Sequence, residues 1–226
     1  MFSFFRAVAV FAVAGWLAQT AQATELQLSV SDAQGAPLAD AVVTLAGPAG
    51  PARPVVTTRM DQKGKMFLPH VLAVRTGTAV TFPNSDDIRH QVYSFSQSKR
   101  FELRLYEGTP TAPVVFDRPG VVVLGCNIHD WMLGYIYVTA DPRFGVTDAQ
   151  GHLNLTQLPE GSYSLTLWHP RSPDLRPQAG GSLALGQAPE RKVLTLAVDG
   201  ADGPSPSPPA SPFGDAFQKA LRENQK

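Results

Sequence analysis

Cys126, His129 and Met132 stand in the spacing Cys-x2-His-x2-Met. A thiolate, an imidazole and a thioether on one short loop can converge on one point. This soft set of nitrogen and sulfur donors prefers copper to magnesium or calcium. A trigonal His2Cys site with a long axial Met is the arrangement of blue-copper electron-transfer centres, so a second imidazole is required. Its upstream candidate is His90. Each residue also has a plainer reading: a lone Cys or Met is ordinarily core material, and a lone His is ordinarily structural. The joint spacing carries the metal reading. Zinc is the rival ion, but zinc fingers pair two Cys/His sets as Cys-x2-4-Cys with His-x3-5-His. The chain holds one cysteine, which cannot supply that pattern.

Two strands must hold the loop. Residues 121–124 (Val-Val-Val-Leu) are apolar and mostly β-branched, and residues 135–138 (Tyr-Ile-Tyr-Val) are aromatic and β-branched. Both compositions suit buried strands. His90 opens His-Gln-Val-Tyr-Ser-Phe, where alternation puts it on the face of Val92, the side expected to be buried. A ligand on a packed strand is rigidly aimed.

The run from Val74 to Val138 reads Val-x-x-Gly-x-x-Val-x-Phe-x-Asn, then His-x-Val, then Cys-x2-His-x2-Met-x-Gly-x-Ile-x-Val. It resembles the cupredoxins, the small blue copper proteins of the plastocyanin and amicyanin kind. The Cys-to-Met spacing is similar to the short ligand loop of amicyanin. The whole chain looks like periplasmic proteins labelled methylamine utilisation proteins, a family label rather than a pathway. The resemblance implies one copper ion held by His90, Cys126 and His129, with Met132 as the weak axial ligand. It also implies a redox partner protein, a dehydrogenase or a cytochrome c, reached through the exposed edge of His129. Two features depart from the pattern. No proline flanks His129, and Gln91 follows His90 where many cupredoxins carry an Asn that hydrogen-bonds beside the metal.

Residues 1–23 read as a secretory signal peptide. Arg6 gives the positive start, residues 7–18 the apolar stretch and Ala21-Gln-Ala23 the cleavage site, leaving Thr24 as the mature start. The apolar run is short of the roughly 20 residues needed to span a bilayer, and no other segment could cross one, so no membrane span is expected after cleavage. The expected location is the periplasm. Cysteines exported to an oxidising compartment usually come in pairs. A metal that occupies the thiolate resolves the odd Cys126. Charge is balanced at 19 basic and 19 acidic residues, and loss of Arg6 leaves about minus one. No basic patch argues for nucleic acid.

Twenty prolines and nineteen glycines with few helical stripes point to an all-β, turn-rich protein. Residues 25–30 and 41–45 are expected strands around an Asp32-Ala-Gln-Gly35 turn, and residues 47–54 read as a linker. After residue 141, Thr147-Asp-x-x-Gly and Leu158-Pro-x-Gly-x-Tyr-x-Leu resemble the second half of the carboxypeptidase regulatory-like (transthyretin-like) β-sandwich. Asp32-x-x-Gly-x-Pro-Leu-x-Asp-Ala-Val-Val-x-Leu45 is similar to its first half. The expected architecture is a cupredoxin Greek-key β-sandwich, residues 51–141, inserted in or fused to a small discontinuous sandwich of residues 24–50 and 142–199. Two short appendages to one extended cupredoxin are the alternative. Residues 200–226 form a Pro/Ser-rich tail. There Phe213, Phe217 and Leu221 share a helical face, and a frayed tail is expected before a docked helix.

A closed His2Cys-plus-Met site suits one-electron transfer and leaves no position for a substrate, so the chain is not read as an enzyme. His70, His152 and His169 are too scattered for a catalytic copper, with His152 and His169 expected at the surface. Asp130 reads equally as a docking residue or a loop turn, while Trp131 reads better as a hydrophobic plug. Two other functions compete. One is a β-sandwich that binds a glycan or cell-wall polymer and keeps copper structurally, an analogy at the level of fold. The other is copper delivery or storage.

Overall fold

The computed structural model describes residues 24–48, 57–110 and 112–200. The expected leader, most of the 47–54 linker and the tail after residue 200 lie outside them. The described residues form seventeen strands and one short 3-10 helix, Pro173–Leu175, an all-β architecture of several sheets. Among the described residues no helix is long and apolar enough to cross a membrane.

A five-stranded sheet holds the middle of the chain. Its order is Val71–Arg75, Leu133–Thr139, Gly120–Gly125, His90–Ser94, Phe101–Tyr106. A three-stranded sheet of Val114–Phe116, Thr78–Thr81 and Thr57–Arg59 and a small pair, Asp61–Gln62 with Phe67–Leu68, complete it. Thirteen buried residues between Met60 and Val138 form one core here, among them Phe82, Val92, Phe116, Ile136, Cys126 and Met132. Each large apolar side chain so buried contributes about 1.5–3 kcal/mol.

Both ends of the described chain build a second pair of sheets. Thr24–Ser31 lies between His152–Leu158 and Glu190–Thr195. The four-stranded partner runs Arg143–Val146, Val42–Ala46, Gly161–Trp168, Gln178–Leu185. Its core is aliphatic with a single Tyr163, and draws on Leu26, Leu28 and Val30 from one end and Leu165, Leu167 and Leu194 from the other. The two Asp-Ala-Gln-Gly turns are built alike. Asp32 Oδ1 accepts the N–H groups of Gln34 and Ala36, and Asp148 Oδ1 those of Gln150 and His152, all at 2.8–2.9 Å. They meet where Val30 N–H donates to Gly151 O at 2.8 Å.

A third cluster joins the halves: Val42 and Trp168 from the outer sheets pack on Val71, Tyr135 and Tyr137 of the middle sheet. The strand Leu133–Thr139 is therefore buried on both faces. Ile136 and Val138 face the middle core, while Tyr135 and Tyr137 face Trp168. This explains its unbroken apolar run, which a strand with one wet face would not show. Gly134 is required there, because a Cβ would lie 2.7 Å from Cβ of Phe67.

The chain makes two short strands, Phe67–Leu68 and Val71–Arg75, with His70 between them. The polar, mixed run of residues 96–106 contains the strand Phe101–Tyr106. Its Phe101, Leu103 and Tyr106 pack on the core while Glu102 and Arg104 face out. The strand from His90 is buried at all five positions, not on one face alone.

Candidate metal centre

The strands Gly120–Gly125 and Leu133–Thr139 pair antiparallel up to Gly125 opposite Leu133, so residues 126–132 are the connecting loop. Two internal bonds tighten it: Met132 N–H donates to His129 O at 2.9 Å and Leu133 N–H to Trp131 O at 3.0 Å. The loop divides by burial. Cys126 (2% exposed) and Met132 (1%) point into the middle core. Ile128 (50%) and Trp131 (67%) stand in solvent, Asp130 is also exposed, and His129 sits half-buried at the rim. The expected plug role of Trp131 is thus overturned, since two-thirds of its surface is open. Its ring instead lies 5.3 Å from that of His129.

His90 reaches this loop from the neighbouring strand, whose Tyr93 pairs with Gly125. It is fully buried. Its Nδ1 stands 3.9 Å from Cys126 Sγ, and the rings of His90 and His129 are 5.0 Å apart. One ligand atom from each of His90, Cys126 and His129 lies within 4.8 Å of the other two. Two donors on one ion at about 2.0–2.3 Å each stand closer than 4.6 Å, so the set needs little adjustment to enclose one. His129 supports the fit. Its Nδ1 is buried without a hydrogen-bond partner, a costly state unless something accepts its lone pair or proton. Burial first, then the proximity of His90 and Lys65, lowers the His129 pKa, against a smaller opposing effect of Asp86. The ring is therefore held in the neutral form a metal requires.

The fourth predicted residue, Met132, lies in the same packed cluster as Cys126. His90, Cys126 and His129 therefore fit one metal ion, with two imidazole nitrogens and a sulfur on hand.

Sequence reading missed Asp86. Its Oδ2 lies 2.8 Å from His90 Nε2. Burial raises the Asp86 pKa, but the hydrogen bonds from Lys65, His90 and Gly64 outweigh it and the net shift is downward. An ionised carboxylate can only accept, so Nε2 carries the proton and Nδ1 presents its lone pair toward Cys126. Asp86 also accepts the N–H groups of Gly64 at 2.6 Å and Lys65 at 2.9 Å. The tip of the 62–67 hairpin is thereby tied to the histidine. Asn84 braces this loop, donating to Ile88 O and Tyr106 O and accepting Asp86 N–H. The departure at Gln91 is thus made good elsewhere: Gln91 Nε2 bonds Glu102 at 2.7 Å on the edge strand, and Asp86 holds the imidazole. The available signal was a carboxylate four residues before the histidine.

The other histidines stay apart. His70 pairs with Asp40 at 3.0 Å on the surface, and its ring meets Tyr135 edge-on. His152 is exposed. His169, expected at the surface, is buried. Its Nε2 donates to Ala39 O and its Nδ1 accepts Arg171 N–H, both at 3.0 Å.

No protein-family model and no curated protein matches the chain. Solved structures similar to part of it include cupredoxins. A purple cupredoxin from Nitrosopumilus maritimus is 23% identical over 36% of this chain and 99% of its own, with a TM-score of 0.33. A mutant of amicyanin is 16% identical over 42% of this chain and 99% of its own, at 0.33. The copper-containing nitrite reductase of Thermus scotoductus SA-01 is 27% identical at 0.35; the match covers 42% of this chain and a quarter, 25%, of the reductase.

Proposed function

We propose that the chain is an exported type 1 copper protein that passes single electrons between partner proteins. The observation that carries this is the convergence of His90, Cys126 and His129 around the unpartnered Nδ1 of His129. Copper bound there supplies one-electron exchange between its two oxidation states. The chain supplies the rest. Asp86 keeps the proton of His90 on Nε2, and the core around Cys126 and Met132 excludes water from the sulfurs. The two-faced strand from Leu133 fixes the end of the loop, so the donors move little when the ion changes charge. His129 stands at the rim among exposed Ile128 and Trp131, which makes its edge the contact for a dehydrogenase or cytochrome c. Exposed Asp130 favours a basic partner. With four protein donors engaged, no position remains for a substrate, and the reading is a carrier rather than an enzyme.

In this reading residues 51–141 are the copper unit. Residues 24–50 and 142–199 are a discontinuous sandwich of the carboxypeptidase regulatory-like kind, into which the copper unit is inserted. The location is the periplasm, after removal of residues 1–23. Copper titration of the purified protein, followed by visible absorption and EPR, tests it. An intense thiolate-to-copper band that bleaches reversibly on reduction is expected, and Cys126→Ser removes it while the fold persists. A protein that binds copper without colour and hands Cu(I) to another protein would make it a delivery protein. A colourless protein retained on glycan would make it a binding module. Colour surviving in Cys126→Ser would refute the ligand set.

A further inference from the structure

A cleft of about 930 Å³ opens beside the metal loop. His70 and Trp131 line it from the middle of the chain, and Asp40, Arg171, Asp174 and Asp199 line it from the outer sandwich. Its charged side chains are mostly acceptors: three carboxylates against one guanidinium. That guanidinium is already engaged, since Arg171 Nη1 donates to Asp199 O at 3.4 Å. Asp40 pairs with His70 Nδ1 at 3.0 Å. A carboxylate only accepts, so the proton sits on Nδ1 and Nε2 keeps its lone pair as a further acceptor. The carboxylates of Asp174 and Asp199 are exposed and enter none of the ion pairs among the described residues. His169 also lines the cleft, but burial pushes its pKa down to about 4 and it adds no charge near neutral pH.

Two further features mark a place built to hold something. Trp131 is 67% exposed, and an open indole face attracts a cation. Asp40, Asp174 and Leu175 have positive φ, at 61°, 53° and 54°, and all three line this cleft. Asp tolerates that conformation, but a bulky Leu does so at a cost, and such residues gather where a ligand is clamped. An acceptor-rich cleft with an aromatic face calls for a donor-rich cation. Guanidinium fits best, because it is planar, stacks on an indole and carries five donors in a fork that matches carboxylates. The Trp131 ring lies 5.3 Å from that of His129, so a side chain seated here belongs to whatever docks at the His129 edge.

We propose that the cleft seats an arginine side chain of the partner protein, its guanidinium stacked on Trp131 and bonded to Asp174 and Asp199. That the occupant comes from a docking partner rests on the carrier reading above; the chemistry of the cleft does not depend on the metal.

The test uses the purified protein without metal. Acetyl-Gly-Arg-Gly-amide is titrated while the indole N–H of Trp131, assigned with Trp131→Phe, is followed by NMR. A saturating shift is expected, and acetyl-Gly-Gln-Gly-amide gives none. Asp174→Asn and Asp199→Asn each weaken the Arg peptide about tenfold, the loss of one charge-assisted bond, and Asn keeps the positive φ at 174 without strain. Asp130→Asn, on the metal loop but not lining the cleft, leaves binding unchanged. No saturating shift, an equal shift with the Gln peptide, or both cleft variants binding as before would each overturn the proposal. n-Butylguanidinium binding more tightly than the peptide would make the occupant a free small cation and overturn the partner assignment. No readout involves copper, so failure of the copper titration and failure here are separate results.

Discussion

Two buried histidines in this molecule are held in opposite ways. His169 sits in a turn of the outer sandwich with both ring nitrogens occupied by backbone groups, Ala39 O and Arg171 N–H. His90 sits in the middle core with one nitrogen on the Asp86 carboxylate and the other facing Cys126. Beside it, His129 buries a nitrogen that nothing among the described residues satisfies. Burial alone therefore does not separate a structural histidine from a ligand. What separates them is whether the protein itself closes the ring's hydrogen-bonding capacity or leaves a lone pair aimed at sulfur.

The contrast breaks most sharply at His90. His90→Ala removes one donor and leaves Asp86 facing an apolar space. The expected result is loss of the visible copper band, with affinity down by more than the 10–100-fold typical of a residue that only touches a ligand. Asp86→Asn is that smaller case. It keeps a polar partner but frees the tautomer, so copper affinity by competition with a chelator falls about 10–100-fold. In the metal-free protein, ¹⁵N shifts of the His90 ring then show protonation spread over both nitrogens. At His169 no effect on copper is expected. Burial, then the charge of Arg171, lowers its pKa from the ordinary histidine value of 6.5 to about 4. The unfolded chain thus binds a proton that the fold refuses between these values, so stability is lost as pH falls from about 6.5 to about 4 and is flat outside that window. Denaturant melts across the window should show a loss of up to about 3 kcal/mol, which His169→Gln flattens.

Much of this was legible from residue order, and what was not has definite causes. The strands flanking the loop were plain, because burial on both faces leaves Val121–Leu124 and Tyr135–Val138 almost wholly apolar. The Cys-x2-His spacing and the upstream His90 pointed to three residues, Cys126, His129 and His90, whose ligand atoms the fold brings within 4.8 Å of one another. Asp86 was hidden because its loop has no periodicity, and only folding shows that its carboxylate points back at His90. His169 was hidden because its partners are backbone atoms, one of them 130 positions away. The strand Phe101–Tyr106 was obscured by the charges on its outer face, although its alternation was present in the sequence. Trp131 was misread because a large apolar residue beside the buried Met132 looks like a plug, and nothing local reveals that most of its surface stays open.

The pairing of Thr24–Ser31 has a consequence for the order of events as the chain emerges. Its two neighbours in the sheet are His152–Leu158 and Glu190–Thr195, so the first strand to appear must wait for the last. The five strands of the middle sheet, by contrast, all lie between Val71 and Thr139. A chain threading out from its N-terminus can thus bring His90, Cys126 and His129 together before the outer sandwich has its closing strand. Ion capture could then precede completion of the fold around it.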